Sequence, residues 1–276
     1  MNSNLDSKTV EGFGEEWSRF DQTGMEAAEL AEQFERYFSV FPWDALPADA
    51  EGFDLGCGSG RWAGKAAERV GKLHCIDASI SALEVARRNL SGRDNVEFHR
   101  ASVDDIPLAD DSMDFGYSLG VLHHIPDTAG GIVECVKKLK TGAPFLVYLY
   151  YAFDNRPKWF RAVWKTSDIF RRFVSSMPFG LKKTVTDLIA AFVYFPLART
   201  SLLAEKLGFA VDVLPLSTYR AHSFYTMRTD SLDRFGTRLE HRFTRIQIRE
   251  MMEAAGLDRI LFSDGRPYWC AAGFKK

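Results

Sequence analysis

The stretch Gly52-Phe-Asp-Leu-Gly-Cys-Gly-Ser-Gly-Arg-Trp62 decides how the rest of this chain is interpreted. Glycines alternate at Gly56, Gly58 and Gly60 after a short strand-like run, and a helix-like run, residues 61–70, follows them. Glycine is needed where the backbone turns sharply or comes into contact with a ligand, because it has no Cβ to clash. A strand, a glycine turn and a helix place backbone N–H groups beside a helix start. The pattern favours a nucleotide-like ligand across the turn, although an ordinary strand-to-helix turn has the same glycines.

Length and composition indicate a globular protein with a sizeable core. The chain has 276 residues, of which 46% are hydrophobic and 26% are charged, as is typical of globular domains. A formal net charge of -2 argues against a general polyanion binder, so we predict no nucleic-acid partner. The four cysteines have no C-x-x-C spacing, and the N-terminus has no apolar signal core. These features predict neither a zinc site nor a disulfide framework, and they favour the cytoplasm.

Residues 52–151 alternate strand-like and helix-like runs, which predicts βαβ units and a parallel sheet with right-handed crossovers. A later helix, capped by Thr244 and ending at Gly256, precedes two strand-like runs whose short connection predicts an antiparallel hairpin. The expected fold class is α/β, a doubly wound and mostly parallel sheet with a helical insertion after the fifth strand. The predicted strands are 53–55, 72–76, 96–100, 113–119, 144–151, 257–262 and 268–274, and the helices between the first five are 61–70, 81–90 and 131–139.

Polar residues follow successive strands of this predicted sheet, and ligands of such sheets bind beyond the carboxyl ends of the strands. Asp77 ends the second strand about twenty residues after the glycines, where an acid accepts both hydroxyls of a ribose. Asp104 or Asp105, after the third strand, is placed either to accept from an adenine amine or to be an ordinary loop acid. His123 and His124 follow the fourth strand, and we predict that both face the same cleft.

The N-terminal segment places Phe13, Trp17 and Phe20 on one face of a short helix. Residues 25–41 form a second amphipathic run, which ends at Pro42. Aromatic side chains this close to a terminus pack either as a strap over the core or as a lid over a ligand. We predict that residues 1–48 form an N-terminal helical cap and that the aromatic segment closes over the ligand.

Residues 152–240 lose the alternation and interleave basic with aromatic side chains. The apolar run within them, residues 188–197, is too short to span a bilayer, and Pro196 interrupts it. We predict an inserted helical cap that binds an acceptor, with peripheral contact to a membrane surface or plain solvated helix faces as alternatives. Residues 217–230 are predicted to be an irregular segment within this cap, where binding groups concentrate.

Taken together, these residues resemble the class I S-adenosylmethionine-dependent methyltransferases, in particular the ubiquinone/menaquinone group. Asp54-Leu-Gly-Cys-Gly-Ser-Gly60 is similar to the signature of an acidic residue followed by three alternating glycines. Asp77 and Asp104 stand at the family's positions after the second and third strands, and residues 119–127 resemble the segment after the fourth. The resemblance covers about residues 50–151 and 243–276, so it does not reach the inserted cap.

The resemblance implies an enzyme that uses S-adenosylmethionine, releases S-adenosylhomocysteine, and has its core in residues 49–151 and 241–276. Asp54 is expected to bind the ammonium of the methionine moiety through the turn or a water. The cofactor contacts implied are Trp17, Asp54, Gly56, Gly58, Gly60, Asp77, Ala78, Ser102, Val103, Asp104 and Leu119.

Two other classes of protein compete with this interpretation. Gly58-Ser-Gly-Arg-Trp-Ala63 also satisfies the G-x-G-x-x-A pattern of nicotinamide- or flavin-binding domains. Asp54 argues against that class, because its carboxylate would repel a pyrophosphate. A non-catalytic protein with the methyltransferase fold would lack some cofactor residues, and the chain has every one that the resemblance calls for.

Methyl transfer from a sulfonium is an in-line displacement, for which a protein supplies alignment and exclusion of water. A hydroxyl acceptor also needs a base, and the catalytic candidates are His123, His124, His222 and Tyr225. The predicted acceptor contacts are Tyr150, Tyr151, Tyr219, Arg220 and Arg228. We expect a small acceptor, such as a phenol, a quinol precursor, a sugar or a natural-product intermediate, or alternatively a lipid-like molecule. We predict no metal ion, and the oligomeric state stays open.

Overall fold

The computed structural model describes residues 4–19, 24–212 and 214–276, and within them seven strands form one sheet. The strands are β1 (Glu51–Leu55), β2 (Lys72–Asp77), β3 (Val96–Arg100), β4 (Phe115–Leu119), β5 (Pro144–Tyr148), β6 (Leu257–Phe262) and β7 (Cys270–Lys275). Their order is β3-β2-β1-β4-β5-β7-β6. The first five strands are parallel, and β7 is antiparallel to both β5 and β6. The predicted α/β fold class, with its antiparallel C-terminal hairpin, is confirmed.

The helices surround this sheet and fill the insertion after β5. They are α1 (Ser7–Arg19), α2 (Ala27–Tyr37), α3 (Ala63–Ala66), α4 (Ile80–Asn89), α5 (Thr128–Lys138), α6 (Lys158–Ser175), α7 (Phe179–Ile189), α8 (Phe195–Lys206), α9 (Phe224–Gly236) and α10 (Arg245–Ala254). A π-helical segment, Ala190–Tyr194, joins α7 to α8, so one continuous helix runs from Phe179 to Lys206.

Two hydrophobic cores lie on opposite faces of the sheet. One packs Ile132 of α5 and Ile248 of α10 against Phe145 and Val147 of β5. The other packs α2, α3 and α4 against the opposite face, where Leu146 of the same strand contributes. Successive side chains of a strand point to opposite faces, so β5 is buried on both sides. This burial explains why the strands of the core are apolar runs without polar alternation.

The described residues divide into two compact units. The first contains the sheet and consists of Leu30–Ala152, Leu239–Lys276 and the described residues before Gly24. The second consists of Gly24–Glu29 and Phe153–Arg238, in which α6 and α7 both pack on α9. Most of the segment predicted as an N-terminal cap, residues 1–48, is therefore grouped with the sheet.

Two helix predictions differ from the structure within these units. The run 61–70 forms only the four-residue α3, because i→i+3 hydrogen bonds from Lys65 N–H to Trp62 and from Arg69 N–H to Ala66 tighten the chain on either side. The prediction that the apolar run 188–197 is too short to span a bilayer and is interrupted by Pro196 is wrong. The helix continues through Pro196 because the proline stands in the first turn of α8, directly after the π-helical segment.

The segment 217–230 was predicted to be irregular, and it is mostly helical. Residues Ser217–Ala221 form a 3₁₀ turn, and α9 begins at Phe224. Ser223 caps this helix, since its hydroxyl accepts a hydrogen bond from the Thr226 N–H at 3.2 Å. Ser223 followed by the buried Met227 is a helix-start pattern. The sequence prediction missed it because aromatic and basic residues surround it.

Candidate cofactor and acceptor site

A cleft opens at the carboxyl ends of β1, β2 and β4, entirely within the first unit. It holds about 1000 Å³ of empty space, part of which is open to solvent. The lining comes from the glycine loop after β1, the turns after β2 and β3, the segment after β4, and α1. Several predicted cofactor residues line it together: Trp17, Gly56, Gly58, Asp77, Ala78, Ser102, Val103 and Leu119.

The glycine loop needs glycine for two separate physical reasons. Gly56, Gly58 and Gly60 have φ values of +76°, +55° and +76°, which side chains with a Cβ rarely adopt. A Cβ on Gly58 would also lie 3.0 Å from the Trp17 indole, and one on Gly56 would lie 2.4 Å from the Val121 side chain. The loop therefore keeps its backbone exposed to the cleft beneath the Trp17 ring.

Asp77 ties the glycine loop to the start of α4. Its Oδ2 accepts from the Gly58 N–H at 2.9 Å, and its Oδ1 accepts from the Ser79 N–H at 2.8 Å. Burial raises the pKa of Asp77, and the two backbone donors oppose that rise. Ser79 caps α4 through its hydroxyl, 3.3 Å from the Ala82 N–H, so helix capping does not occupy Asp77. Each carboxylate oxygen keeps a lone pair that can accept from a hydroxyl in the cleft.

Asp54 lies in β1 and is not among the described residues that line the cleft. Its side chain is buried, and its Oδ2 has no hydrogen-bond partner among the described residues. The pKa of Asp54 is raised to about 8, chiefly by burial and to a smaller extent by the charge of Asp77. The nearby Tyr117 hydroxyl opposes this rise, although the two groups are outside hydrogen-bonding geometry. At neutral pH the carboxyl group of the ligand-free protein is therefore largely protonated.

Helix α1 lies along the cleft, with Thr9, Val10, Phe13 and Trp17 in the lining. A Cβ on Gly14 would lie 2.6 Å from the Ser79 Oγ, so the backbone of α1 closely approaches the start of α4. The predicted aromatic face is thus confirmed at its first two positions. Phe20, its third predicted member, lies outside the described residues.

Asn4 is a cleft residue that the sequence analysis missed, since a polar residue near a terminus belongs to no periodic pattern. Its backbone N–H donates to Asp104 Oδ2 at 2.5 Å, and its side-chain amide donates to the Asp127 carbonyl at 2.8 Å. Ser102 and Val103 line the cleft, whereas Asp104 is not among the described lining residues. The carboxylate expected to meet an adenine amine is instead bonded to the segment before α1.

The two neighbouring histidines occupy different environments, which corrects the prediction that both face the cleft. They belong to the 3₁₀ turn Leu122–His124, and their ring centroids lie 3.9 Å apart. His124 lines the cleft, and its ring centroid is 5.0 Å from that of Phe13. Its Nδ1 lies 2.7 Å from the Leu239 carbonyl oxygen. Because a carbonyl only accepts, Nδ1 carries the hydrogen, and the neutral ring keeps its lone pair on Nε2.

His123 is fully buried and stacks on Tyr150 with ring centroids 3.9 Å apart. Neither of its ring nitrogens has a hydrogen-bond partner among the described residues. Burial holds the pKa of His123 well below its usual value, and electrostatic interactions with His124, Arg242 and His241 lower it further. The ring is therefore neutral and packed in the interior.

The two tyrosines predicted to contact the acceptor follow β5, which ends at Tyr148 and not at Tyr151. Tyr150 is covered by the His123 ring, and Tyr151 bridges to Phe243 and lies 5.5 Å from the Tyr268 ring. Neither tyrosine is among the described residues that line the cleft.

The remaining acceptor candidates lie in the second unit, where both arginines have carboxylate partners. Arg220 binds Glu205 through Nε and Nη2 at 2.8 Å each. Arg228 binds Asp187 through Nε at 2.9 Å and Nη2 at 3.1 Å. Hydrogen bonding to these carboxylates raises the pKa of both arginines. Such two-point pairs fix helices against each other, and acceptor binding by either arginine stays a prediction.

The aromatic candidates of this unit also pack locally. The Tyr219 ring lies 5.1 Å from Tyr194 and 5.7 Å from His222. Tyr225 packs against Gly24, where a Cβ would come within 2.8 Å of its ring. The catalytic roles predicted for His222 and Tyr225 stay predictions.

One cluster with metal-ligand chemistry lies away from the cleft, at the β2–β3 edge. His74, Glu97 and His99 bring their ligand atoms within 4.8 Å of one another. The His74 Nδ1 is 2.8 Å from the His99 Nε2, and Lys72 pairs with Glu97 at 2.9 Å. Protein groups thus already satisfy these ligand atoms, and the prediction of no metal ion stays untested.

Similarity to known proteins identifies the domain that carries the cleft. Residues 53–147 match a family model described as a methyltransferase domain. They form a class I methyltransferase domain. The matched segment contains the glycine loop, Asp77 and both histidines, and S-adenosylmethionine is the cofactor of such a domain.

Curated relatives with methyltransferase names agree with this assignment. A demethylmenaquinone methyltransferase from Clavibacter sepedonicus is 33% identical over 34% of this chain and 38% of its own. A ubiquinone biosynthesis O-methyltransferase from Hahella chejuensis is 32% identical over 39% of this chain and 44% of its own. The chain thus spans less than half the length of these relatives.

Solved structures extend the likeness of fold beyond the methyltransferase domain. A chain from the complex of the Haloferax volcanii Trm112 methyltransferase activator with a methyltransferase has a TM-score of 0.52 at 15% identity, over 96% of both chains. A Bordetella parapertussis protein described as a possible exported protein has the same TM-score and identity, over 91% of this chain and 70% of its own. At this identity the likeness concerns the fold alone.

Proposed function

We propose that this chain transfers a methyl group from S-adenosylmethionine to a small-molecule acceptor. The observation that supports the proposal is the cleft itself: a glycine loop whose backbone faces the ligand space, held by Asp77 at the carboxyl end of β2. The acidic side chain and the loop meet at the edge of the sheet where ligands of this architecture bind.

The cofactor fits the donors and acceptors of the cleft. Asp77 would accept from the ribose hydroxyls, because each of its two oxygens accepts one backbone N–H and keeps a lone pair. The backbone of Gly56 and Gly58 would receive the methionine moiety, where side chains are sterically excluded. Ser102 and Val103 would flank the adenine, and the Trp17 ring would cover the loop.

The bound cofactor would supply an activated methyl group, and the protein would align the acceptor and exclude water. Helix α1 contributes the apolar side chains of Val10, Phe13 and Trp17 to that exclusion. If the acceptor is a hydroxyl, His124 is the better base of the two histidines. Its ring lines the cleft and, with the hydrogen on Nδ1, has its lone pair on Nε2, an atom that is buried in the ligand-free protein; His123 is not among the described lining residues.

The names of the relatives suggest the class of acceptor. Demethylmenaquinone and ubiquinone precursors are phenol- or quinol-like molecules, which agrees with an acceptor that carries a hydroxyl. We propose such an acceptor, methylated on oxygen or carbon, with a sugar or another natural-product intermediate as further members of the class. We also propose a cytoplasmic location, which the four free and buried cysteines support.

The cofactor half of the proposal is tested by calorimetry on the full chain with S-adenosylmethionine and S-adenosylhomocysteine. We expect both to bind with 1:1 stoichiometry, and we expect no binding of a nicotinamide dinucleotide. Binding of the dinucleotide without either methionine nucleoside would overturn the proposal.

The acceptor half is tested by incubating acceptor pools with the cofactor and measuring S-adenosylhomocysteine release. Pools of phenols and quinol precursors should be turned over, and His124→Gln should lower kcat by about 10²–10⁴-fold if a hydroxyl is deprotonated. His222→Ala and Tyr225→Phe test the candidates of the second unit in the same assay. Wild-type turnover in all three variants would leave the cofactor site intact and remove the proposed base.

A further inference from the structure

The second unit exposes apolar side chains that a helix of a water-soluble unit normally buries. On α6, the side chains of Trp159, Val163, Ile169, Phe170 and Phe173 are between 47% and 73% exposed. At about 100° per residue they fall within one stripe roughly 120° wide. The opposite side of α6 is turned inward, and Arg171 and Ser175 there are buried.

The long helix formed by α7, the π-helical segment and α8 has the same reversed polarity. Each exposed residue between Gly180 and Leu203 is glycine, leucine, threonine, phenylalanine, valine or proline. The charged residues of the same range are partly buried, and Asp187 binds Lys183 at 2.6 Å and Arg228 of α9 at 2.9 Å. Arg199 donates to the Arg220 carbonyl at 2.7 Å. Charges inside and apolar groups outside are the reverse of a solvated helix.

A basic strip flanks the apolar stripe of α6. Lys158, Arg161, Lys165 and Arg172 are exposed and fall on one side of the stripe. The acidic residue of this helix, Asp168, is only 13% exposed and is held by Arg171 at 2.6 Å. Amphipathic helices with aromatic and aliphatic side chains beside lysine and arginine lie in the interface of anionic bilayers.

We propose that the outward faces of α6 and of the helix Phe179–Lys206 dock this chain onto the surface of an anionic lipid bilayer. Both helices pack on α9 through their inner faces, so their apolar faces turn away from the unit's own core. The apolar stripe enters the boundary between headgroups and acyl chains, and the basic strip pairs with lipid phosphates. The negative charge that complements the basic strip is that of the anionic lipid headgroups.

The helix Phe179–Lys206 has the length and hydropathy to cross a membrane. Because of the charged residues on its inner face, we place it instead parallel to the membrane surface, in the interface between headgroups and acyl chains. A spanning helix would carry Lys183, Asp187 and Arg199 through the hydrocarbon, and here these residues are hydrogen-bonded within the folded unit. Docking does not depend on the proposed methyl transfer, so it can be tested without cofactor. Together with that transfer, it would place the enzyme beside an acceptor dissolved in the bilayer.

The test is co-sedimentation of the full chain with vesicles of phosphatidylglycerol and phosphatidylcholine, compared with phosphatidylcholine alone. We expect binding to the anionic vesicles that weakens with salt. Replacing Lys158, Arg161 and Lys165 singly by Gln should lower the partition coefficient about fivefold each, and Arg88→Gln, an exposed charge on α4, is the control. Ile169→Ser should weaken binding, while Ile246→Ser, at a comparably exposed position on α10, should not.

Three outcomes would overturn the proposal. Absence of binding to anionic vesicles is one. Equal loss of binding in Ile246→Ser and Ile169→Ser is another, because it would show non-specific adsorption. The third is concentration-dependent self-association without vesicle binding, abolished by Ile169→Ser, which would mean that a second copy of the chain covers this surface. Circular dichroism and the melting temperature of each variant show whether it is folded.

Discussion

Replacing Asp54 by asparagine should stabilise the ligand-free protein, by an amount that grows with pH. The side chain is 2% exposed, and burial raises the pKa of Asp54 from 3.8 to about 8. A carboxyl group with a raised folded pKa contributes stability that is complete below its unfolded pKa and is lost as the pH rises through the folded one. At 1.36 kcal/mol per pKa unit, the wild-type protein loses on the order of 5 kcal/mol by pH 8.

The assay is urea unfolding of both proteins at several pH values from 5 to 9. The asparagine side chain has the shape of the protonated acid and does not ionise. Subtracting the unfolding free energy of the wild type from that of the variant therefore removes the contributions of other titratable groups. The difference in unfolding free energy should grow by about 1.4 kcal/mol per pH unit up to pH 8 and then level off. Asp94→Asn, at an exposed loop acid, is the control and should follow the wild type. A difference independent of pH would refute the burial argument, because Asp54 would then be ionised in the folded state.

The same group links cofactor binding to protons. The proposed cofactor brings a sulfonium and an ammonium group into the cleft, and positive charge nearby favours the ionised form of a carboxyl group. Binding should therefore lower the pKa of Asp54 and release a proton between about pH 5 and 8. Calorimetry in buffers of different ionisation enthalpy measures that proton, and Asp54→Asn should abolish it. Equal proton release in the variant would assign it to another group.

Three further predictions concern the lining and the interior. Asp77→Ala should weaken S-adenosylmethionine binding by about 1–3 kcal/mol, since ribose hydroxyls lose their acceptor; an unchanged Kd from calorimetry would contradict this. Deleting residues 1–22 should raise the cofactor Kd more than it lowers the ligand-free Tm, because α1 lines the cleft; equal affinity would make the segment a strap. His123 has a lowered pKa, so its contribution to stability is complete above about pH 6.5 and is lost as the pH falls below it. His123→Phe should flatten the acid side of the stability profile, and an unchanged profile would show that His123 is protonated in the folded state.

The cofactor side of the site was largely predictable because its residues follow the ends of strands. Each parallel strand delivers the next residues of the chain to one edge of the sheet, so sequence order alone places Gly58, Asp77 and Ser102 together. Asp54 shows the limit of that reasoning. Its position in the signature is clear from sequence, but its burial, and with it the raised pKa, depends on the packing of the folded sheet.

The acceptor side was less predictable, because its candidates are neither periodic nor local. Two adjacent histidines look equivalent in sequence, yet His124 lines the cleft, whereas His123 is fully buried and stacks on Tyr150. Arg220 and Arg228 look available for an anion, and each pairs with a carboxylate more than ten residues away. Such pairs depend on how helices pack, which composition and spacing do not encode.

By itself, the sequence determined the sheet, the glycine loop and the class of cofactor, since alternating strands and helices and three spaced glycines are local patterns with one physical solution. Only the tertiary structure decided which side of each insertion helix meets water. The stripe on α6 reads in sequence as a face to be buried, and a hydrophobic face can be buried by the protein's own core or by something else. In the folded unit, Arg171 and Ser175 of α6 and Thr186 of α7 are buried, whereas Ile169 and Phe173 stay outside. Which face of each helix is buried depends on contacts between segments far apart in the chain, and these contacts contribute free energy only after the helices have packed together.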